Sequence, residues 1–279
     1  KGLVQVRDRP IKCVAGKEMS ILPAIENAFL IIKDDVIDSY GTMSEFNDSA
    51  TFDLEIDATG RFVFPAFVDS HTHLVFAASR EGEFVDKIKG LTYTEIAAKG
   101  GGILNSAKKL QSISEEELLE RSLLRANEIM TLGTGAVEIK SGYGLTVKDE
   151  LKMLRVAKSV GDQTPLTVKT TFLGAHAVPK EHTKTSYLNL IINEMIPAVA
   201  NENLADYIDV FCEQGFFTPE ETLEVVEAGK KYGMTPKIHA NQLSLSGGVE
   251  AGVKAEAISV DHLECIGQDQ INSIACSEV

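Results

Sequence analysis

The stretch FVFPAFVDSHTH, from Phe62 to His73, decides how the rest of the chain is interpreted. Its first seven residues, Phe62–Val68, are short, aromatic and β-branched, which predicts a buried strand. His71 and His73 follow, and residues two apart in an extended backbone point to the same face. Two such imidazoles suit adjacent positions on one metal ion, although surface or hydrogen-bonded histidines would show the same spacing.

Composition excludes several classes of protein. The 279 residues are 44% hydrophobic and 24% charged, enough for one large core or two domains. The net charge of -14 argues against a nucleic-acid partner, which requires a basic patch. No apolar run approaches the roughly 18 residues that span a bilayer. No signal peptide is visible, and the four cysteines lack Cys-x-x-Cys spacing, which predicts free thiols and a cytoplasmic protein without a membrane partner.

Residues 1–61 are predicted to form a small β-rich domain. The apolar run Ala28–Ile32 and the segment Val36–Gly41 read as strands on either side of a turn at Asp34 and Asp35. Phe52–Asp57 alternates apolar and polar residues, which predicts a half-exposed strand.

Residues 62–279 show strands alternating with amphipathic helices. Cap signals at Ser114, Thr146 and Thr218 begin three of the helices. Such alternation with buried strands predicts a parallel sheet covered by helices. Polar residues follow every strand end, which favours a (β/α)8 TIM-type barrel over a doubly wound sheet. Besides Phe62–Val68, the predicted strands are Gly135–Ile139, Leu166–Leu173, Tyr207–Cys212, Thr235–Ile238 and Ala257–Val260.

Two further histidines follow later strands, His239 after the fifth and His262 after the sixth. A lone histidine beside a strand is usually a satisfied core residue. Four histidines delivered by three strand ends to one barrel mouth are more simply explained by a shared metal. Zinc or iron would both suit neutral imidazoles, and either would acidify a water and polarise a carbonyl.

These residues carry a resemblance that covers nearly the whole chain. The sequence resembles the amidohydrolase superfamily and, within it, the imidazolonepropionase family. The His-x-His pair marks only the superfamily, whereas KSGYG at 140–144 and FLGAHAVP at 172–179 are far more specific. The other matching stretches are DSHTHL at 69–74 with Arg80, GGGI at 100–103, DVFCE at 209–213, KIHANQ at 237–242 and VDHLE at 260–264.

The resemblance implies that water opens the ring of 4-imidazolone-5-propanoate to give N-formimino-L-glutamate in histidine degradation. By the same resemblance His71, His73 and His239 bind the metal. Substrate contacts are implied for Arg80, Tyr143, His176 and Gln242, and a homodimer is also implied. Arg80 suits this role because a guanidinium binds a carboxylate such as the propionate in a bidentate manner. A surface salt bridge is the alternative for Arg80.

The catalytic residues implied are His262 and Gln242. His262 would orient the attacking hydroxide or polarise the scissile carbonyl, with Glu264 either orienting it or simply solvated. Related deaminases place a proton-shuttling Glu where Gln242 stands, so the amide argues against an aromatic-base deaminase, the first alternative function. Glu213 is equally consistent with supporting the site and with a structural role, and His182 reads as an exposed loop residue.

One expected feature has no match. The resemblance implies a further metal-binding Asp after an eighth strand, within an Asp-x-Asn-Pro-Gly-type stretch, and the sequence contains only six strands' worth of barrel. About 218 residues follow residue 61, below the roughly 250 typical of the fold. We therefore expect a barrel truncated before strands seven and eight. An inactive truncated chain is the second alternative function.

Overall fold

The computed structural model describes residues 1–7, 9, 11, 13–47, 49–92, 95–96 and 101–279. Gly100, in one of the motifs above, lies outside them. The chain divides into two compact units, Lys1–Ala66 and Phe67–Val279. A domain boundary after residue 61 stays a prediction.

The first unit contains two small sheets. In one sheet the central strand pairs antiparallel with one neighbour and parallel with the other, and the second sheet is a hairpin. The predicted hairpin turn is confirmed, because Asp34 and Asp35 adopt φ values of 50° and 63°. The elements are β1 (Gly2–Val4), a 3-10 helix (Gly16–Ser20), β2 (Ala24–Glu26), β3 (Ala28–Lys33), β4 (Val36–Thr42), a 3-10 helix (Met43–Glu45) and β5 (Phe62–Val63).

The predicted strand Phe52–Asp57 is wrong. These residues form no strand, and Leu54 and Ile56 are more than three-quarters exposed. An alternating pattern stabilises a strand only when a neighbouring strand supplies hydrogen bonds and a covering surface. No strand of the described residues pairs with this segment.

The second unit contains six parallel strands that neighbour one another in chain order, as in the wall of a (β/α)8 barrel. The predicted barrel architecture is confirmed. The strands are β6 (Phe67–Thr72), β7 (Thr134–Lys140), β8 (Thr167–Ala175), β9 (Tyr207–Cys212), β10 (Thr235–Ala240) and β11 (Ser259–His262). The helices are Glu81–Ile88, Ile103–Ser112, Glu115–Thr131, Val147–Gln163, Lys184–Leu190, Ile196–Asn201, Pro219–Lys230, Gly248–Lys254 and Gln268–Ala275, with a π-helical turn at Ile191–Met195.

Local chemistry explains where these helices begin. The hydroxyls of Ser114, Thr146 and Thr218 each accept a hydrogen bond from the backbone N–H three residues later. Thr218 also forms the predicted capping box with Glu221, directly before Pro219. The helices that follow these three caps each bury one face against the sheet, and together they form much of the core of this unit.

The predicted buried strand Phe62–Val68 is wrong in two respects. Its first two residues belong to β5 of the first unit, and β6 begins only at Phe67. Pro65 lies between them and has no N–H to donate to a continuous ladder. The apolar side chains of this segment are also exposed, and β6 lies at an edge of the sheet that the described residues form. His71 lies within the carboxyl end of β6, and His73 directly follows the strand.

Candidate metal centre and substrate pocket

Five histidines converge at the carboxyl ends of the barrel strands. The His71 ring centroid lies 4.5 Å from that of His239 and 5.0 Å from that of His262. Nitrogens of these three residues lie within 4.8 Å of one another, close enough to hold one ion together. The resemblance implies a catalytic role for His262, and the geometry adds this residue to those that could bind a metal ion.

His73 stands slightly apart from this group. Its ring centroid lies 6.0 Å from that of His71 and 5.9 Å from that of His239. Two imidazoles sharing an ion at about 2.1 Å would have centroids roughly 5 Å apart, so a small shift would bring His73 into reach. Its Nδ1 is buried and has no hydrogen-bond partner among the described residues. Its metal role stays a prediction.

Aspartates fix the orientation of two histidines. Nδ1 of His71 lies 2.8 Å from Oδ2 of Asp261, and Nδ1 of His239 lies 2.8 Å from Oδ2 of Asp209. An ionised carboxylate can only accept, so each Nδ1 carries the proton and each Nε2 presents its lone pair. Nδ1 of His239 faces Asp209 at an angle too oblique for a regular hydrogen bond, and its buried Nε2 has no hydrogen-bond partner among the described residues. This arrangement of carboxylate, histidine and free nitrogen fits a metal ion.

Two buried lysines pair with three carboxylates beneath the histidines. Lys140 is fully buried, and its Nζ donates to Glu138 at 2.7 Å and to Asp209 at 2.9 Å. Lys237 donates to the other oxygen of Glu138 and lies 3.8 Å from Asp261. Burial opposes the charge on Lys140, yet Asp209 and Glu138 raise its pKa above the ordinary value. No local pattern indicates this network, because its members come from four separate strands.

Burial keeps three of the histidines neutral. Burial, followed by the neighbouring His239, lowers the pKa of His176 from 6.5 to about 3. Burial also lowers the pKa of His73 and of His239, although Asp209 opposes the shift in His239. Neutral imidazole is the form that binds metals, so the environment favours the metal-binding state.

A cavity of about 300 Å³ opens beside His73. Arg80 and Tyr143 both line it, so the structure brings together a predicted metal ligand and two predicted substrate residues. Nη1 of Arg80 lies 3.6 Å from Glu83, a loose contact that leaves donors free for an anion. The lining residues are His73, Phe76, Ala78, Ser79, Arg80, Ser106 and Tyr143. Phe76 and Ser106 were missed, since neither belongs to a polar motif.

The remaining predicted residues surround this centre. The His176 ring stacks on His73 at 5.2 Å, and its Nδ1 lies 3.0 Å from the carbonyl oxygen of Gly142. Gln242 lies half-buried in the loop after β10. The structure shows no hydrogen bond from its side chain to another predicted site residue in the described part of the chain. Nδ1 of His262 lies 3.3 Å from Oε1 of Glu264, which agrees with the alternative that Glu264 orients His262. His262 also has a φ of 80°, an uncommon backbone conformation for a residue with a side chain.

The sequence leaves the role of Glu213 open and predicts an exposed loop position for His182. The carboxylate of Glu213 accepts hydrogen bonds from the backbone N–H of Leu243 at 2.8 Å and from the Ser244 hydroxyl. It therefore anchors the loop that carries Gln242. The His182 ring contacts Ser186 and Tyr187 and takes no part in the histidine centre.

Fold and site together define a metal-dependent hydrolase of the amidohydrolase superfamily. The structure is similar to the crystal structure of 5-methylcytosine deaminase from Klebsiella pneumoniae, with a TM-score of 0.65 and 16% identity. The match covers 90% of this chain and 60% of that one. Identity at this level shows the fold alone. No general protein-family model matches the chain.

Sequence relatives are more specific. The chain is 54% identical to imidazolonepropionase of Flavobacterium psychrophilum over 100% of its own length and 68% of the relative's. It is 55% identical to imidazolonepropionase of Christiangramia forsetii, over 97% of this chain and 66% of that protein. The chain belongs to the imidazolonepropionase family of hydrolases, and it spans about two thirds of the length of these relatives. No helix in the described part of the chain is long and apolar enough to cross a membrane.

Proposed function

We propose that the histidine centre and the adjoining cavity hydrolyse 4-imidazolone-5-propanoate to N-formimino-L-glutamate. The observation that carries the proposal is the pair His71 and His239, each held through Nδ1 by an aspartate, beside a cavity lined by Arg80 and Tyr143. In the reaction water adds to the ring carbonyl carbon. The bond from that carbon to the ring nitrogen breaks, and the nitrogen receives a proton.

Metal binding is assigned to His71, His73 and His239. Zinc and iron both suit neutral imidazole nitrogens, and His262 offers a further nitrogen within reach. A bound ion would lower the pKa of a water molecule and polarise the ring carbonyl. The two aspartates hold the imidazoles in the tautomer that such an ion requires.

Substrate binding is assigned to Arg80, Tyr143, His176 and Gln242. The Arg80 guanidinium would hold the propionate carboxylate at the cavity wall. Because the Gly142 carbonyl can only accept, Nδ1 of His176 carries its proton, and Nε2 is left to accept a hydrogen bond from the substrate ring. The Gln242 amide would hydrogen-bond the ring, since it cannot carry protons as a carboxylate does.

Orientation of the attacking water is assigned to His262. Glu264 at 3.3 Å favours a proton on Nδ1 of this histidine, so Nε2 can accept a hydrogen bond from the attacking water. Gln242 assists by fixing the orientation of the ring. A cytoplasmic location agrees with the four free cysteines, and a homodimer is carried over from the family as a prediction.

The test is turnover of 4-imidazolone-5-propanoate by the full chain before and after chelation, with metal content measured on the same sample. Chelator-sensitive ring opening with about one ion per chain is expected. His239→Ala should lose both metal and turnover, whereas His182→Ala, at an exposed loop histidine, should keep both. Bound metal with no ring opening, but with deamination of cytosine or guanine, would replace the proposed reaction.

A further inference from the structure

The loop Ser141–Thr146, between β7 and the helix Val147–Gln163, carries Tyr143 into the cavity. The Tyr143 ring lies 5.1 Å from that of His73 and 5.3 Å from that of His176. The position of this one loop therefore sets the distance between the phenol and the histidine centre.

One buried carboxylate holds the backbone of that loop. Glu150, on the first turn of the following helix, is fully buried. Its Oε1 accepts hydrogen bonds from the N–H groups of Gly144 at 2.7 Å and Leu145 at 2.8 Å. Its Oε2 accepts one from the N–H of Gly142 at 3.0 Å. Tyr143 lies between the bonded residues, so the carboxylate grips the chain on both sides of it.

The loop needs this grip because its backbone is unusual. Gly142 has a φ of 104° and Leu145 a φ of 57°, conformations that cost free energy for most residues. A Cβ on Gly144 would lie 2.3 Å from the backbone nitrogen of Glu150, so the loop is pressed against the helix. Without an acceptor at Glu150 three buried N–H groups would be left without partners.

A serine connects the same carboxylate to the next strand. The Ser141 hydroxyl accepts a hydrogen bond from the N–H of Leu173 at 3.0 Å, and it lies close enough to the Glu150 carboxylate to oppose the rise in pKa that burial causes there. Leu173 precedes the segment that carries His176. Glu150 is thus linked to both rings that face His73.

We propose that Glu150 is a positioning residue for substrate binding, which acts by holding the loop 141–145 so that Tyr143 points into the cavity. The proposal rests on the proposed function, because Tyr143 is taken to contact the substrate. Glu150 itself lies outside the cavity lining and touches no predicted metal ligand. Its removal should weaken substrate binding while leaving the metal in place.

The neighbouring Asp149 provides a matched control. It is also a buried carboxylate on the first turn of the helix, but its oxygens contact Lys152 at 2.9 Å and the Thr146 hydroxyl at 2.7 Å. Its carboxylate makes no hydrogen bond to the described residues on either side of Tyr143. A general loss of helix stability should therefore appear in Asp149→Asn, and a loss of loop position only in Glu150→Gln.

The first measurement is hydrogen–deuterium exchange of the segment 141–146 in the full chain. Glu150→Gln replaces one accepting oxygen by a donor and should speed exchange at Gly142, Gly144 and Leu145, while Asp149→Asn leaves it unchanged. Unchanged exchange in Glu150→Gln would overturn the clamp. This measurement needs no substrate and decides the clamp even when the protein fails to open 4-imidazolone-5-propanoate, an outcome that would defeat only the proposed function.

The second measurement is a double-mutant cycle with Tyr143→Phe, using 4-imidazolone-5-propanoate. Glu150→Gln should raise KM about tenfold or more, with kcat and metal content little changed, because a misplaced contact weakens binding. In the Tyr143→Phe background the same change should raise KM less than about twofold. An equal rise in KM in both backgrounds would overturn the proposal that Glu150 acts through Tyr143. If Glu150→Gln does not fold, Ser141→Ala takes its place. It is expected to raise KM by a smaller factor, and Tyr143→Phe should suppress this rise. A rise in KM that persists in the Tyr143→Phe background would overturn the proposal.

Discussion

Asp209→Asn should weaken both metal binding at His239 and the buried charge pair with Lys140. Oδ1 of Asp209 accepts from the His239 backbone N–H at 3.0 Å, and Oδ2 accepts from Lys140 at 2.9 Å and faces Nδ1 of His239 at 2.8 Å. An asparagine has only one accepting oxygen for these three donors. Whichever way the amide turns, its NH₂ group meets at least one donor.

Two losses follow from that conflict. When the amide nitrogen faces Nδ1 of His239, the ring proton moves to Nε2, which can then no longer bind an ion. Removing a partner that fixes a metal histidine typically lowers metal affinity about 10- to 100-fold, or about 1.4 to 2.8 kcal/mol. Breaking a fully buried charge pair, here with Lys140, should cost about 3 to 5 kcal/mol of the free energy of unfolding.

Both losses can be measured without turnover. Zinc affinity is obtained by competition with a chromophoric chelator, and stability by urea unfolding of the metal-free chain. Glu227→Gln is the control, because Glu227 pairs only with Lys230 on an exposed helix surface of the described chain and should cost no more than about 1 kcal/mol. Zinc affinity of Asp209→Asn within about twofold of the starting protein would refute the orienting role.

Three other outcomes are expected. Arg80→Ala should raise KM for the carboxylate-bearing substrate by about 10- to 100-fold with little change in kcat, and an unchanged KM would remove its assignment as the carboxylate clamp. Acidification of the metal-free protein from pH 6.5 towards 3 should lower its free energy of unfolding. In this range the unfolded chain binds a proton at His176, whereas in the folded chain burial keeps the pKa of His176 near 3 and the ring stays neutral. Urea midpoints across this range should fall less steeply in His176→Gln, and equal slopes would contradict the assignment. Tyr187→Phe should cost about 1 kcal/mol in urea unfolding, since the buried hydroxyl donates to the Gly174 carbonyl at 2.9 Å, while the half-exposed Tyr232→Phe should be neutral.

Local signals in the sequence were sufficient wherever the decisive interaction is local. The caps at Ser114, Thr146 and Thr218 were predicted because each bonds a neighbour three residues away. The barrel strands were predicted because continuous apolar runs between helices require burial on both faces. His71 and His239 were found for a related reason, since they lie at the ends of such strands.

The errors and omissions concern contacts between distant parts of the chain. Phe52–Asp57 has a strand pattern but no partner strand among the described residues, and alternation cannot reveal whether a partner exists. Lys140 and Asp209 lie 69 residues apart, so nothing in either local sequence predicts that they meet. The role of Glu150 was missed because a glutamate on a first helical turn is ordinarily an exposed capping residue.

The buried network beneath the histidines has a consequence for how the protein is handled. Glu138, Asp209 and Asp261 carry three negative charges, and Lys140 and Lys237 carry two positive ones, so the group keeps one uncompensated negative charge. A cation bound by the histidines would act as a folding ligand. At a free concentration 100 times its Kd it would add about 2.7 kcal/mol to the free energy of unfolding. The yield and shelf life of the protein would then follow the metal supply of the growth medium, and a chelating purification step would lower its melting temperature before any substrate is added.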